Sequence, residues 1–201
     1  MRILLTFTGF HDPFTPGPLA GEEQPGPILS LVRNMAFDEI ILFDTPNTTE
    51  QTAATQGAVE EEDAARKIKV VHLSIPDPTD HLVILRELRQ GYSSLGEDTH
   101  AADLSISVSS GTPAMHACWF LLAASGEIPA TVLQTCPPRF VTAERPSISE
   151  IDLSAPGIPR VRSGACPLPP EVSEVASPDP DDVLRRMGII GQHAHAEQRA
   201  A

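Results

Sequence analysis

The segment LSISVSSGTPAMH, at positions 104–116, decides the fold. It begins as a short apolar strand, turns through hydroxyl-bearing residues and a glycine, and continues directly into a helix. Thr112 is placed to cap that helix, and Pro113 is placed to be its first residue. Because a strand that runs into a helix is the building unit of a parallel sheet, the segment predicts an α/β protein.

The same alternation of strand and helix extends to both sides of this segment. Strands are predicted at residues 2–8, 39–43, 69–75, 104–108 and 130–134. Helices are predicted at residues 27–35, 49–67, 79–90 and 113–124. The strands are apolar at most positions, which is typical of strands covered on both faces. We therefore expect a Rossmann-like, mostly parallel sheet with helices on both faces.

Two of the predicted helices carry more specific expectations. In the third helix, Thr79 is placed as the cap, and Leu82, Leu85 and Leu88 share one apolar face. The fourth helix is apolar on nearly every side. We expect it to be buried between the sheet and a further surface, such as another subunit.

Proline is distributed unevenly and predicts the domain organisation. Ten of the twenty prolines lie between Pro137 and Pro180. Proline disrupts helices and central strands, so this stretch is expected to be a coil or an extended arm along an edge. The chain accordingly divides into a compact domain at residues 1–140, a proline-rich arm or linker at 141–180 and a helical tail at 181–201.

The charge balance limits the partners that the chain can have. It has 27 acidic and 14 basic residues and a net charge of −13. It lacks the broad positive face that non-specific binding to duplex DNA requires, so any anionic ligand must be held locally. No apolar stretch approaches the roughly 18 residues of a membrane-spanning helix, and we expect no membrane partner.

The cysteines favour a reducing compartment. Cys118, Cys136 and Cys166 are odd in number and have no CxxC spacing, so neither a disulfide framework nor a zinc site is indicated. His193 and His195 form at most a weak metal motif, and we expect no metal and no cofactor. The N-terminus is interpreted as the first strand and not as a signal peptide. We therefore expect a cytoplasmic protein.

The loop after the fourth strand is the strongest candidate for a binding site. In open parallel sheets, ligands gather at the carboxyl ends of the strands, near the point where the strand order reverses. Ser109, Ser110 and Thr112 supply hydroxyls beside the amides and positive dipole end of a helix, which together form a cradle for a phosphate-sized anion. Gly111 lets a ligand approach the backbone closely. The alternative is that these residues simply begin a helix.

Three other strand ends also carry candidate side chains. After the first strand, Phe10 or Phe14 is placed to stack on a base and His11 to donate to a phosphate, unless the phenylalanines only anchor the core. Thr45 follows the second strand and either contacts a ligand or helps to cap the next helix. Thr135 follows the fifth strand, with Arg139 as a candidate phosphate contact.

Nucleophilic catalysis has weaker support in the sequence. The candidate pairs are Ser109 or Ser110 with His116, and Cys136 with His72 or His11. The GxSxG motif is missing, and the spacing identifies no acid partner. A binding site is therefore the better interpretation of these loops.

Four segments together resemble CARF domains, the CRISPR-associated Rossmann-fold ligand sensors. They are TFTGFHDPF at 6–14, GPIL at 26–29, FD at 37–38 ahead of LFDTPNT at 42–48, and SSGTPAMH at 109–116 followed by Trp119. The most similar subgroup lies at the N-terminus of sigma-54-dependent transcriptional regulators, including the RNA-repair operon regulator. The resemblance covers about residues 1–140.

This resemblance implies a six-stranded domain that forms a homodimer and binds a nucleotide across the dimer axis. The implied ligand is a cyclic oligoadenylate or an RNA end that bears a 2′,3′-cyclic phosphate. With the strand-end candidates included, the expected ligand residues are Thr8, Gly9, Phe10, His11, Thr45, Ser109, Ser110, Gly111, Thr112, Met115 and Thr135. The segment GIIGQ at 188–192 is similar to the entry of an AAA+ effector domain.

The sequence therefore predicts a sensor without catalytic residues that controls a transcription regulator or another effector. The alternative is a metal-independent ring nuclease that cleaves cyclic oligoadenylate with Ser110 and His116. Many CARF domains have a lysine where this chain has Pro113, so no lysine role carries over and cleavage is less expected. A third possibility is an unrelated Rossmann-like module for another nucleotide.

Overall fold

A computed structural model describes residues 1–17, 22–137, 140–159 and 161, and its main feature is one six-stranded sheet. In chain order the elements are β1 (Arg2–Phe7), β2 (Phe14–Pro16), β3 (Glu23–Pro25), α1 (Pro27–Asn34), β4 (Glu39–Asp44), α2 (Thr49–Glu62), β5 (Lys67–His72), α3 (His81–Ser93), α4 (Glu97–His100), β6 (Asp103–Ser107), α5 (Pro113–Ala124), β7 (Ala130–Thr135) and β8 (Ile148–Ile151). The strand order is β5-β4-β1-β6-β7-β8. Every neighbouring pair is parallel except β7 with β8. The predicted α/β class and Rossmann-like sheet are confirmed.

The sheet is buried on both faces because β1 and β4 are apolar at nearly every position. Leu5 of β1 pairs with Ile41 of β4 and with Ile106 of β6, and all three are fully buried. One face packs against α3 and α5 around Trp119, whose ring lies 5.2 Å from that of Phe43. The other face packs against α1 and α2. Helices therefore cover both faces, as expected.

The third predicted helix differs from the expectation in its start and in its buried face. Asp80, and not Thr79, caps α3, because its carboxylate accepts hydrogen bonds from the amides of Leu82 and Val83. Thr79 instead donates its hydroxyl to Asp77. Leu82 is 80% exposed, and the buried residues of α3 are Ile84, Leu88 and Gly91. An apolar leucine in the first turn therefore faces outward.

The proline-rich stretch contributes a strand that the sequence analysis missed. The strand β8 pairs antiparallel with β7 at the edge of the sheet, and it lies between Pro146 and Pro156, which flank the pairing without interrupting it. The hairpin β2–β3 and the short helix α4 were missed as well. The division of the chain at residues 140 and 180 stays a prediction.

Several expectations concern parts of the chain that the structure leaves undescribed. Arg139, Cys166, His193, His195 and the tail at 181–201 lie outside the described residues. Within the described ranges, no helix is long and apolar enough to cross a membrane. Those ranges also contain no cluster of three or more metal-ligating side chains. Cys118 and Cys136 are free thiols, and both are buried.

Candidate ligand-binding site

The strand order reverses between β1 and β6, and the candidate site lies at this reversal. From β1 the chain continues to β4 and β5 on one side, whereas β6 and β7 lie on the other. Loops that leave neighbouring strands in opposite directions open a crevice at the carboxyl ends of those strands. The two loops at this crevice are residues 8–12, after β1, and residues 108–112, after β6. These are the two loops that the sequence singled out most strongly.

The two loops are in backbone contact through a pair of glycines. A Cβ atom added to Gly9 would lie 2.7 Å from the amide nitrogen of Gly111. Gly111 has a φ angle of +99°, in the left-handed region that favours glycine. A Cβ at Gly111 would crowd Met115 Sδ and Phe7 Cβ, at 3.0 Å and 3.1 Å. Glycine is therefore required at position 111, because a larger residue there would crowd neighbouring atoms of the protein itself.

A buried carboxylate joins these loops to the start of α1. Asp12 is 3% exposed, and its two oxygens accept hydrogen bonds from the amides of Gly9, at 3.0 Å, and Ile28, at 3.1 Å. Burial raises the pKa of Asp12, and this effect outweighs the Ser110 hydroxyl and the two amides, which lower it. Neither Lys nor Arg in the described chain pairs with this carboxylate. Asp12 thus ties together three segments of the site.

The start of α5 is closed by its own side chains. Thr112 Oγ1 accepts a hydrogen bond from the Met115 amide at 3.3 Å and donates to the Pro78 carbonyl at 2.7 Å. The Thr112 amide donates to Met115 Sδ at 3.4 Å. The predicted cap and the predicted first helical residue, Pro113, are both confirmed. These contacts occupy the amides of Thr112 and Met115 and the Thr112 hydroxyl, which an anion cradle at this helix end would need.

Two cavities flank the loop between β6 and α5. The small cavity has a volume of about 270 Å³ and lies between the loops after β1, β4 and β6. The large cavity has a volume of about 660 Å³ and lies between the hairpin β2–β3, the start of α1 and the ends of β6 and β7. His11, Pro27 and Ser109 line both of them. The two cavities therefore share a wall.

Comparisons with known proteins assign the chain to a family. A family model described as RtcR, regulator of RNA terminal phosphate cyclase, matches residues 23–159, which is more than half of the chain. The chain belongs to this family. The matched range includes α1, β6 and α5, which build much of both cavities. The resemblance to CARF-type regulator domains is thereby confirmed.

The solved structure of Csm6 shares the fold of this RtcR-family chain. Csm6 of Enterococcus italicus, bound to cyclic hexa-2'-fluoro-hexa-dAMP, superposes with a TM-score of 0.62 at 19% identity, covering 76% of this chain and 41% of Csm6. Can2 from Sulfobacillus thermosulfidooxidans, in complex with cyclic tetra-adenylate, has a TM-score of 0.46 at 12% identity, covering 68% of this chain and 32% of Can2. The chain thus spans less than half of either protein. Among curated proteins, no relative matches.

Each ligand residue predicted for this RtcR-family chain lines one of the two cavities. The residues in the small cavity are Thr8, Gly9, Phe10, His11, Thr45, Ser109, Ser110, Gly111, Thr112 and Met115. Thr135 lines the large cavity, where its amide donates to Ser109 Oγ at 2.7 Å. Thr45 also contributes to the turn before α2, through a 3.2 Å contact between its hydroxyl and that of Thr48. The roles of these residues as ligand contacts stay predictions.

The candidate catalytic pairs are only partly brought together. His116 Nε2 donates to the carbonyl oxygen of Ser110 at 3.0 Å, and not to its hydroxyl. Burial lowers the pKa of His116, which keeps its imidazole neutral near pH 7. Cys136 lines the large cavity with His11 and His116. His72 lies elsewhere, with its Nδ1 2.7 Å from a carboxylate oxygen of Asp44.

Sequence reasoning missed several cavity residues. Asp12 and Asn47 belong to segments quoted above, but neither was named as a ligand residue. Gln24 reaches the large cavity from the unpredicted hairpin, and Pro78 reaches the small one from the loop after β5. An aspartate in the short loop that directly follows an apolar strand, as at Asp12, is the signal that could have been used.

Proposed function

We propose that the chain is a nucleotide-sensing domain that acts as a homodimer. Its proposed ligand is a cyclic oligoadenylate or an RNA end with a 2′,3′-cyclic phosphate. The observation that carries the proposal is the pair of adjoining cavities at the β1/β6 reversal, which together have room for a nucleotide and part of its neighbour. Membership of the RtcR regulator family and the cyclic ligand of Csm6 agree with it.

The chemistry of the site favours binding over turnover. The Ser110 hydroxyl is buried beside Asp12, and His116 holds the Ser110 carbonyl. Neither arrangement places a serine hydroxyl against the imidazole that would activate it. A ring nuclease that uses Ser110 and His116 would require this loop to rearrange, so the sensor is the preferred function.

The outer face of α3 and α5 supports the homodimer. Leu82 is 80% exposed and Leu121 is 43% exposed. The two helices pack against each other, and the Cys118 thiol lies 3.6 Å from the His81 carbonyl. Because α5 starts at the small cavity, a second copy seated on this face would bring two sites together. Exposed apolar side chains grouped on adjoining helices are typical of such an interface.

The dimer is tested by sedimentation of Leu82→Glu. A charge placed in this interface is expected to convert the dimer to a monomer. Val141→Glu is the control, since Val141 is a 40% exposed apolar residue on another segment. A parent chain that sediments as a monomer at all concentrations would rule out the homodimer.

In the full protein, the sensor is proposed to control an effector that follows the proline-rich arm. The division into a sensor at 1–140, an arm at 141–180 and a tail at 181–201 is part of this proposal, with β8 of the arm adding a strand to the edge of the sensor's sheet. A ligand controls an effector only when it binds one arrangement of the protein better than another. The proposed signal is therefore a ligand-dependent change in the dimer.

The decisive experiment is a ligand panel with a product assay. Cyclic tetra-adenylate, cyclic hexa-adenylate, RNA ending in a 2′,3′-cyclic phosphate and the same RNA ending in a 3′-hydroxyl are each titrated into the protein, and each mixture is then analysed for cleavage. Binding of at least one of the first three, without cleavage, is the expected result. Slow cleavage that Ser110→Ala and His116→Ala both abolish would establish the ring nuclease instead. If none of the first three binds more tightly than the 3′-hydroxyl RNA, the proposed function fails.

A further inference from the structure

We propose that the small cavity is a subsite for an uncharged nucleobase, held by Phe10 and Asn47, and not for a phosphate. This inference rests on the proposed function, and it assigns the ligand's ring to the small cavity. The argument uses the charges, the free polar groups and the shape of that cavity.

The charges of the small cavity disfavour a phosphate. Among its lining residues, all of them described, there is no lysine or arginine, and His11 is the one side chain able to carry positive charge. Asp12 lies in the wall and is 3% exposed. An ionised Asp12 repels an anion, and a protonated Asp12 does not attract one, so neither state favours a phosphate.

The backbone donors at the cavity are in part already used. The amide of Gly9 donates to Asp12, the amide of Thr45 donates to Thr48 Oγ1, and the amide of Met115 donates to Thr112 Oγ1. Phosphate sites built from a helix end depend on such amides being free. Here the protein's own oxygens accept these hydrogen bonds.

The remaining features suit a flat ring with polar edges. Phe10 lies on the rim and is 69% exposed, so its ring is available for stacking. Pro27, Pro78 and Pro113 add apolar walls. Asn47 is exposed in the turn after β4 and has no hydrogen-bond partner for its side chain among the described residues. A side-chain amide offers a donor and an acceptor together, which matches the hydrogen-bonding edge of a base. An aromatic ring such as that of Phe10 stacks on the face of the base.

The volume is consistent with this assignment. At about 270 Å³, the cavity is below the usual range of roughly 300–1,000 Å³ for drug-sized ligands, so it suits one ring and not a whole nucleotide chain. The sugar and phosphate of the same nucleotide would then lie outside it.

The test is an NMR titration of the whole 201-residue chain with neutral nucleosides and with a phosphate that lacks a base. Adenosine, guanosine, cytidine and uridine are added separately, and ribose 5-phosphate is added as the comparison. At least one nucleoside is expected to shift the amide signals of Gly9 and Gly111. Ribose 5-phosphate is expected to leave them unchanged. Raising the salt from about 50 to about 300 mM should not weaken nucleoside binding, because the ligand is uncharged.

Two matched pairs of variants locate the contacts. Asn47→Ala is expected to weaken nucleoside binding by about fivefold to tenfold, the loss of one or two hydrogen bonds. Asn34→Ala is its control, since Asn34 is exposed and lines neither cavity. Phe10→Ala should weaken binding to a similar extent, and Phe14→Ala, at another exposed phenylalanine, should not. All four side chains are exposed, so thermal unfolding of the variants should match the parent chain.

Each result decides between the alternatives. The inference is wrong if no nucleoside shifts Gly9 and Gly111, if ribose 5-phosphate shifts them as strongly, or if Asn47→Ala binds as well as the parent chain. The ligand panel keeps the two proposals separate. Tight binding of a cyclic oligoadenylate that Asn47→Ala leaves unchanged would overturn the subsite and keep the sensor. Nucleoside binding without any binding in the panel would keep the subsite and overturn the sensor.

Discussion

Two helices begin at the site, and their first turns are stabilised in different ways. Both α1 and α5 have proline at the start. In α5 the cap is local, because Thr112 accepts a hydrogen bond from an amide three residues later. In α1 the N-cap is Gly26, which has no side chain, and the amide of Ile28 donates instead to the carboxylate of Asp12, sixteen residues earlier. The start of α1 therefore depends on the loop after β1, whereas the start of α5 stabilises itself.

The largest expected effect is the loss of the distant cap. Asp12→Ala should lower the free energy of unfolding by about 3 kcal/mol, because the buried amides of Gly9 and Ile28 lose their acceptor. Asp80→Ala is the matched control, since Asp80 also accepts from two amides but is less buried, and it should cost about 1 kcal/mol. Urea unfolding of both variants measures the difference. Equal losses in the two variants would show that the distant cap of α1 contributes no more than a local cap.

The next largest effect concerns Gly111, where the loop before α5 packs closely against the loop after β1. Gly111→Ala should cost about 2 kcal/mol, because the positive φ is combined with crowding by Met115 and Phe7. Gly126 has a φ of +75° with open space around it, so Gly126→Ala isolates the backbone cost, at about 1 kcal/mol. Thermal and urea unfolding give both values. A cost no greater at Gly111 would remove the argument for close packing of the two loops.

A smaller effect is expected for the local cap. Thr112→Val should cost about 1 kcal/mol, because the Met115 amide and the Pro78 carbonyl lose their partner. Thr79→Val is the control, since Thr79 is exposed and caps no helix. Its stability should stay within about 0.5 kcal/mol of the parent chain. If Thr112→Val proved as costly as Asp12→Ala, the contrast between local and distant caps would be lost.

The smallest effect is a change in the pH dependence of stability. Burial raises the pKa of Asp12 in the folded chain above its ordinary value of 3.8. At pH values between 3.8 and the raised pKa, the folded chain therefore keeps a proton that the unfolded chain has lost. Relative to Asp12→Asn, the parent chain should therefore lose stability as the pH rises from about 4 through the raised pKa, and then change no further. Urea unfolding of both chains from about pH 4 to pH 7 measures this difference. A difference that grew in favour of the parent chain with rising pH would contradict the burial argument.

The contrast between the two helix starts also explains what the sequence could predict. The cap of α5 lies next to its helix, so Thr112 and Pro113 were identified from adjacent residues. Asp12 lies sixteen residues before the amide it accepts from, and no local pattern connects them. The site loops were still located, because the rule for parallel sheets requires only the ends of the strands.

The strands also differ in how far local sequence could predict them. Five strands were predicted because they are apolar at most positions, and the three central ones, β1, β4 and β6, are buried on both faces. The strand β8 has residues that are half-buried or exposed, and it pairs antiparallel with β7 only after an intervening segment. Its sequence, Ile-Ser-Glu-Ile, carries too little apolar signal to stand out among prolines. Asn47 was missed because the residues around it also form the turn before α2, so its local sequence indicates a turn as readily as a binding site.

The two edges of the sheet differ in a way that bears on the behaviour of the chain at high concentration. An unpaired edge strand is a template on which another molecule can add a strand, and this is a common route to aggregation. At one edge, β8 is four residues long and lies between Pro146 and Pro156, so it offers only a short stretch for such pairing. At the other edge, β5 places Lys67 and Lys69 in exposed positions, and repulsion between lysines of neighbouring molecules opposes strand addition there. One edge is therefore limited by its short length and flanking prolines, and the other is protected by charge.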